Sequence, residues 1–184
     1  MAETPLSEAP RGEVAAIVAV QSALGDRPRA LAAARGLSHF GEHSVGWVAV
    51  ALLGALLAPR RRRDWLVAGA GAFVAHAAAV AIKRLVRRTR PDHPAVAVNV
   101  GTPSRLSFPS AHATSTTAAA ILMGRAAGLP EGPGPVLLVP PMALSRILLG
   151  VHYPSDVVFG IALGAAVAGI AQSGGERLRK RCAE

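Results

Sequence analysis

Five apolar stretches dominate the sequence, and they are separated by clusters of basic residues or by loops rich in glycine and proline. They cover residues 44–58, 65–82, 110–129, 135–144 and 153–172, and contain only two charged residues, Arg125 and Asp156. A helix that crosses a bilayer needs about 20 mainly apolar residues, which these stretches reach only with their polar flanks. Five in succession nevertheless predict an all-α fold, a polytopic transmembrane helical bundle of about five spans. A soluble bundle with buried, alanine-rich helices is the alternative.

The positions of the basic residues distinguish a nucleic-acid-binding protein from a membrane protein. The net charge is +9 although 51% of the 184 residues are apolar, which suits either a nucleic-acid-binding protein or a membrane protein with cationic loops. The cations form blocks at 60–63, 83–90 and 177–181, and these blocks lack the aromatic residues on which bases stack. Trp47 and Trp65 lie near the ends of the first two stretches, as interfacial tryptophans do. The pattern favours a bilayer over a nucleic-acid partner, and the single cysteine, Cys182, excludes a disulfide scaffold.

This pattern divides the chain into four segments. Residues 1–12 are polar and are expected to form a flexible tail. Residues 13–43 contain a short apolar segment and a second segment with charges on one side, and GDRP breaks the chain between them. We expect these two to be helices lying at the membrane surface, and one extra span is the alternative. Residues 44–172 would form the membrane-embedded domain, and residues 173–184 a basic C-terminal tail.

Polar residues are concentrated in three segments at the ends of the predicted spans. If the spans alternate in direction, all three segments emerge on one face, and the arginines at 60–63 and the C-terminal block lie on the other. The residues gathered in this way are Lys83, Arg90, His112, Arg146, His152 and Asp156. The topology therefore predicts a site at one mouth of the bundle.

This set of residues has the chemistry of a phosphate site. Three cations can neutralise phosphoryl oxygens, and guanidinium groups bind them in bidentate fashion. Ser110 is predicted to cap the third helix, and Pro154 suits the first turn of the last helix, so two helix N-termini point towards the anion. Two histidines can supply a nucleophile and a general acid, and Asp156 can fix the tautomer of His152.

The spacing of these residues resembles that of the type 2 phosphatidic acid phosphatase superfamily of lipid phosphatases. The motifs are Lys-x6-Arg-Pro from Lys83, Pro-Ser-x-His ending at His112, and Ser-Arg-x5-His-x3-Asp ending at Asp156. One position departs from the pattern, because Ala111 stands where the family usually has glycine. The departure puts any need for a positive φ at this position in doubt.

The resemblance implies a mechanism and a role for each residue. His152 would attack phosphorus and form a phosphohistidine, Asp156 would hold its ring, and His112 would protonate the leaving oxygen. The groups that would bind the phosphoryl oxygens are Lys83, Arg90, Ser110, Ala111 and Arg146. No metal and no other cofactor is expected, since three cations supply the charge that Mg²⁺ would otherwise provide. Vanadate-dependent halide oxidation is an alternative function, since a phosphate pocket also accepts vanadate. The small size of the chain and its expected position in a membrane disfavour this alternative.

Four segments more narrowly resemble the actinobacterial decaprenylphosphoryl-5-phosphoribose phosphatases of arabinan precursor synthesis. They are residues 37–47, 83–99, 107–120 and 139–146. The substrate implied is that lipid phosphate in the cell membrane, and a polyprenyl diphosphate, phosphatidylglycerol-phosphate or phosphatidate is the alternative. Counting cations by the positive-inside rule favours an extracytoplasmic site. The oligomeric state stays open.

Several other polar residues lie next to the motifs. Glu42 and His43 are possible headgroup contacts before the first span, and Asp92 and His93 are possible headgroup contacts after the first motif. Within the second span, His76 is expected to make an interhelical hydrogen bond. We expect three arginines of the first motif to attract anionic lipid headgroups: Arg84, Arg87 and Arg88.

Overall fold

The computed structural model describes residues 9–130 and 132–181, with side chains up to residue 174. The described residues form seven α-helices and two 3-10 turns, and a single antiparallel bridge joins Thr89 to Leu106. The helices are α1 (Gly12–Leu24), α2 (Pro28–Phe40), α3 (Val45–Leu57), α4 (Arg62–Val86), α5 (Ala111–Ala127), α6 (Pro133–Leu148) and α7 (Pro154–Arg181), and the 3-10 turns are Glu42–Ser44 and Pro59–Arg61. The predicted all-α fold is confirmed.

Helix α5 forms the centre of the bundle. It packs against α3, α4, α6 and α7, and every residue from Ala113 to Ala120 is buried. Its small side chains allow the neighbouring helices to approach closely. The buried hydroxyls are satisfied locally: Thr114 donates to the Ser110 carbonyl at 2.9 Å, and Thr117 donates to the Ala113 carbonyl at 2.8 Å. A helix with this composition could not face lipid favourably on all sides, but it suits a core.

The outer faces of the surrounding helices are apolar and exposed. On α3, Leu56 and Leu57 are 69% and 75% exposed, and on α4, Leu85 is 81% exposed. Similar side chains stand outward on α6 and α7: Val136, Leu137, Val158, Phe159 and Ile170. A soluble protein seldom exposes so many large apolar side chains on every side. The structure therefore favours the membrane bundle over the soluble alternative.

In the part of the chain that the structure describes, two helices are long and apolar enough to cross a bilayer, and a bent pair adds a third candidate. The first two are Pro59–Val86 and Pro154–Gly174, and the pair is Pro28–Phe40 with Glu42–Leu57, bent by 52°. Each of the five predicted spans corresponds to a helix, from α3 to α7. Three of these helices, α3, α5 and α6, have 13, 17 and 16 residues, fewer than the roughly 20 that a bilayer crossing needs.

The N-terminal region forms the two helices that the sequence predicted, broken between Leu24 and Pro28. Both pack on the bundle: α2 lies against α6, and α1 contacts α6 and α7. At the other end, α7 continues to Arg181, so residues 173–181 of the predicted tail extend a helix. The predicted N-terminal tail up to residue 8 and Cys182 lie outside the described residues.

Close packing of α7 on α5 depends on Gly164. A Cβ atom there would overlap the Thr114 carbonyl oxygen and approach Thr117 Cβ to 2.8 Å, whereas a Cβ at Gly169 on the same helix meets nothing within 4 Å. We expect Gly164→Ala to lower the free energy of unfolding by about 1–3 kcal/mol, because the clash is with backbone. Thermal unfolding in detergent measures the effect. Gly169→Ala is the matched control and should not lower the melting temperature, since alanine favours a helix. Equal melting temperatures for the two variants would contradict the packing described.

Candidate active site

One end of the bundle contains a cavity of about 420 Å³ to which four of the helices and the loop after α4 contribute. Among the groups lining it are six of the predicted site residues, Lys83, Arg90, Ala111, His112, Arg146 and His152. Helices α4 and α6 end at this cavity and α5 begins there, which is the alternation of direction that the sequence predicted. At the far end of α5, Arg61 donates to the Ala126 carbonyl at 3.3 Å. The arginine block therefore lies at the opposite end of the bundle from the site.

Two of the cations are held in place by backbone carbonyls. Lys83, in the last turn of α4, donates to the Ser107 carbonyl at 2.6 Å and to the Leu106 carbonyl at 3.3 Å. Arg90 donates through Nε to the Ser104 carbonyl at 2.8 Å and through Nη1 to the Val151 carbonyl at 2.6 Å. Burial lowers the pKa of Arg90 to about 10, so it keeps its charge at neutral pH. Both cations are thus fixed before any ligand arrives.

Arg146 is the most unusual side chain in the cavity. It is 1% exposed, and its Nε and Nη1 atoms have no hydrogen-bond partner. Burial of these two donors is costly, because the guanidinium loses its hydration there and gains no hydrogen bond in return. Two such donors beside Lys83 and Arg90 form a pocket for a doubly charged oxyanion.

His152 lies in the turn between α6 and α7 and is 2% exposed. Its Nδ1 atom is 3.6 Å from Asp156 Oδ2, and its Nε2 atom is 3.4 Å from Arg90 Nη1. Burial, together with the charges of Arg90, Lys83 and Arg146, lowers the pKa of His152 well below its usual value. The imidazole is therefore neutral at physiological pH, with Nε2 on the side of the cations. This is the protonation state that a nucleophile needs.

His112 stands at the opposite wall, at the N-terminus of α5. Ser110 caps this helix by accepting a hydrogen bond from the Ala113 amide at 3.4 Å, as predicted. Ala111 is the first helical residue and has no positive φ, so alanine fits where the family has glycine. First-turn amides have no partner within a helix and are available to an anion. His112 Nε2 lies 2.9 Å from the Ser38 carbonyl and 4.0 Å from Glu42 Oε2.

The two pairs of possible headgroup contacts lie in different surroundings. Glu42 and His43 line the cavity, whereas Asp92 and His93 do not. Asp92 is exposed, and His93 accepts a hydrogen bond from the Ala95 amide in a turn. Asp92 and His93 therefore lie outside the cavity lining, and their role as headgroup contacts stays a prediction.

Sequence reasoning missed some groups and misjudged others. His76 lines the cavity, and its Nδ1 atom has no hydrogen-bond partner, so Nδ1 does not make the interhelical hydrogen bond that the sequence predicted. Arg84 also lines the cavity. Arg88, predicted to face lipid headgroups, instead donates to Asp156 Oδ1 at 2.9 Å. The contact between Arg88 and Asp156 could not be predicted from the sequence, because it depends on the path of the loop after α4.

Comparison with known proteins identifies the family. The PAP2 superfamily model matches residues 64–178, which include all three motifs and the helices that carry them. The chain belongs to the PAP2 superfamily. The lipid-phosphatase family that the motifs predicted is therefore confirmed.

Two curated relatives match over most of their length. The chain is 76% identical over 176 residues to decaprenylphosphoryl-5-phosphoribose phosphatase of Mycobacterium tuberculosis, covering 94% of this chain and 98% of the relative. It is 70% identical over 155 residues to the protein of the same name from Mycolicibacterium smegmatis, covering 84% of each. The finer resemblance seen in the sequence is thereby confirmed.

The fold also resembles that of a solved membrane enzyme. A PAP2-type phosphatidylglycerolphosphate phosphatase from Bacillus subtilis superimposes with a TM-score of 0.68 at 20% identity, over 89% of this chain and 86% of that one. At this identity the likeness concerns the fold alone. It agrees with a PAP2 bundle embedded in a membrane.

The two donors of Arg146 without a hydrogen-bond partner lead to a test of the proposed phosphate pocket. We expect Arg146→Met to raise the stability of the ligand-free protein by about 1–4 kcal/mol, because methionine fills similar volume without an uncompensated charge. The same variant should lose the stabilisation that inorganic phosphate gives the wild-type protein. Thermal unfolding with and without phosphate measures both effects. Arg105→Met, at an exposed loop position, is the control and should change neither. A less stable Arg146→Met protein that still responds to phosphate would contradict the assignment.

Proposed function

We propose that this PAP2 enzyme removes the 5-phosphate of decaprenylphosphoryl-5-phosphoribose and leaves decaprenylphosphoryl-ribose, a precursor for cell-wall arabinan. The reaction class rests on one observation above all, the buried Arg146 guanidinium with two unpaired donors in the cavity that His152 also lines. The choice of substrate rests on the two mycobacterial relatives, which carry this name over most of their length.

In the first step, His152 acts as the nucleophile. Its neutral Nε2 attacks phosphorus, the bond between phosphorus and the ribose oxygen breaks, and His112 donates a proton to that oxygen. Asp156, 3.6 Å from Nδ1, stabilises the positive charge that develops on the ring. The products of this step are decaprenylphosphoryl-ribose and a phosphohistidine.

In the second step, water hydrolyses the intermediate. His112, now neutral, accepts a proton from the water as its oxygen bonds to phosphorus, and the phosphorus–nitrogen bond breaks to restore His152. Lys83, Arg90 and Arg146 hold the phosphoryl oxygens in both steps, with hydrogen bonds from Ser110 and the amide of Ala111. The cations stabilise the charge of the transition state without rearranging, because two of them are already fixed by carbonyls.

Glu42 and His43 are proposed to contact the headgroup. They line the same cavity as His112, and Glu42 Oε2 is 4.0 Å from its ring, where the leaving sugar would be. A carboxylate is a strong acceptor for ribose hydroxyls. Phosphatidate has no sugar, so this contact would distinguish between the two substrates.

We further propose that α3 to α7 are five spans of the plasma membrane with the site on the extracytoplasmic face. The exposed apolar side chains of α3, α4, α6 and α7 support the spans, and the central α5 is enclosed by them. The sidedness rests on the arginines at 60–63, which lie at the far end of the bundle and would face the cytoplasm. Residues 44–172 would then form the catalytic domain, 13–43 a partly interfacial helical region, and 1–12 and 173–184 the terminal segments.

Release of phosphate from purified lipid phosphates tests the proposal. We expect the enzyme in detergent to hydrolyse decaprenylphosphoryl-5-phosphoribose with a kcat/KM at least about tenfold higher than for a polyprenyl diphosphate, phosphatidylglycerol-phosphate or phosphatidate. His152→Ala should lower kcat by about 10³-fold or more, since the nucleophile is lost.

Other outcomes of this assay have definite meanings. A higher kcat/KM for one of the other lipids would replace the proposed substrate with that lipid. Activity retained in His152→Ala would overturn the proposed mechanism. His39→Ala alters an exposed histidine outside the cavity and serves as the control.

The headgroup contact has its own test. Glu42→Gln should raise KM for decaprenylphosphoryl-5-phosphoribose by about tenfold, since a charge-assisted hydrogen bond is worth roughly 1.5 kcal/mol. With phosphatidate the KM should change by less than about twofold. Steady-state kinetics on the two lipids measures the difference. An equal loss of kcat on both would show that Glu42 acts on His112 instead of the sugar.

A further inference from the structure

A second polar cluster lies behind the nucleophile, outside the cavity. It joins α1, the loop after α4 and the first turn of α7 through four side chains: Glu13, Arg88, Ser155 and Asp156. Glu13 lies outside the three motifs, Arg88 occupies one of the unspecified positions of the first motif, and neither lines the cavity. Helix α1 also lies outside residues 64–178, the part of the chain that the family model matches.

Hydrogen bonds connect Glu13, Arg88 and Asp156, and Asp156 faces His152 across a distance longer than a hydrogen bond, so that His152 Nδ1 has no hydrogen-bond partner. Arg88 donates through Nη2 to Glu13 Oε2 at 2.7 Å and through Nη1 to Asp156 Oδ1 at 2.9 Å. The other oxygen of Asp156 accepts from the Tyr153 amide at 2.8 Å and lies 3.6 Å from His152 Nδ1. Arg88 thus occupies Oδ1 and leaves Oδ2 facing the histidine.

Glu13 fixes the arginine in turn. Its Oε1 atom accepts from the Ser155 amide at 2.8 Å, in the first turn of α7, while Oε2 binds Arg88. Arg88 also donates to Ser155 Oγ at 2.7 Å and stacks on the Tyr153 ring with its Cζ 4.0 Å from the ring centre. The guanidinium is therefore held on four sides. A flexible lipid-facing arginine would not make these contacts.

The charges in this cluster have opposing effects on the nucleophile. Asp156 stabilises a positive charge on His152, and Arg88 weakens that effect because it neutralises part of the carboxylate charge. Glu13 compensates for Arg88 in turn. The three groups set how readily Nδ1 carries a proton during phosphohistidine formation.

We propose that Arg88 and Glu13 are positioning residues that orient Asp156 towards His152 and adjust its charge, so that the N-terminal helix is part of the catalytic machinery. The inference rests on the proposed function, because it takes His152 as the nucleophile. Neither residue touches the substrate in this arrangement. Their effect is therefore on kcat, with substrate binding left unchanged.

Steady-state kinetics on decaprenylphosphoryl-5-phosphoribose tests the inference with the full chain in detergent. Arg88→Gln should lower kcat by about 10- to 100-fold, the range found when a group that orients a ligating or catalytic histidine is lost, with KM within about threefold. Arg88→Lys should recover part of this loss, since it keeps the charge but carries all its donors on one nitrogen, which cannot reach Glu13 and Asp156 as the two nitrogens of the guanidinium do. Arg87→Gln is the matched control at the neighbouring exposed position and should retain kcat.

The pH profile gives a readout that a merely structural role would not change. His152 must be neutral to attack, so the acid limb of kcat/KM follows its pKa. Arg88→Gln removes a cation, raises that pKa and moves the limb to higher pH. Glu13→Gln removes an anion and moves it to lower pH. The other groups that face His152 and Asp156 are the same residues in the wild type and in both variants: Lys83 from α4, His112 from α5, Arg146 from α6 and Arg90 from the loop.

Each result has one meaning. Lower kcat at unchanged KM, with opposite shifts of the acid limb, supports the inference even if the variants melt at a lower temperature. A kcat within twofold of wild type for Arg88→Gln, an equal loss in Arg87→Gln, or limbs that shift in the same direction would overturn it. A wild-type enzyme inactive on all the lipids tested, or an active His152→Ala variant, would instead remove the proposed function itself.

Discussion

Mutual repulsion of three cations in one buried cavity is the constraint on which the site depends. Lys83, Arg90 and Arg146 come from α4, the following loop and α6, and within the described residues two carboxylates act on them: Glu42, which lines the same cavity, and Asp156, which lies behind His152. Carbonyl groups of residues 104, 106, 107 and 151 hold two of the cations in position, and packing around α6 holds the third. The fold therefore holds three cations close together, which is unfavourable without a bound anion. A phosphoryl group would relieve this repulsion on binding, and the greater negative charge of the transition state would relieve it further.

The same charges also determine the state of the proposed nucleophile. His152 is kept neutral by burial and by the cations, which are the groups proposed to bind the phosphoryl oxygens. In the proposed mechanism a bound phosphoryl group offsets those cations, so that a positive charge on the ring becomes less unfavourable. Substrate binding and activation of His152 would then be linked through electrostatics. Asp156 and the groups behind it extend this link to α1.

Much of the fold and most of the site could be predicted from the sequence, because both depend on regular patterns. Charge-free stretches marked the helices, and alternation of direction gathered Lys83, Arg90, His112, Arg146 and His152 at one end. Features set by loop geometry could not be predicted. The loop after α4 turns Asp92 and His93 away from the cavity and directs Arg88 beneath Asp156, and residue types alone do not encode these directions. Contacts of α1 with α7 were missed for a similar reason, since Glu13 lies 142 residues from Ser155.

The exposed leucine at the end of α4 has a consequence for how the products separate. Leu85 is 81% exposed and lies two residues from Lys83, whose ammonium group faces the cavity. Two residues are about half a turn of an α-helix, so the apolar outer surface and the cavity lie on opposite faces of the same turn of α4. In the proposed reaction the decaprenyl chain would stay in the hydrocarbon while only the phosphorylated end of the sugar enters the protein. Each turnover would then divide its products between two phases: inorganic phosphate diffuses into water, and the dephosphorylated lipid remains in the leaflet from which it came.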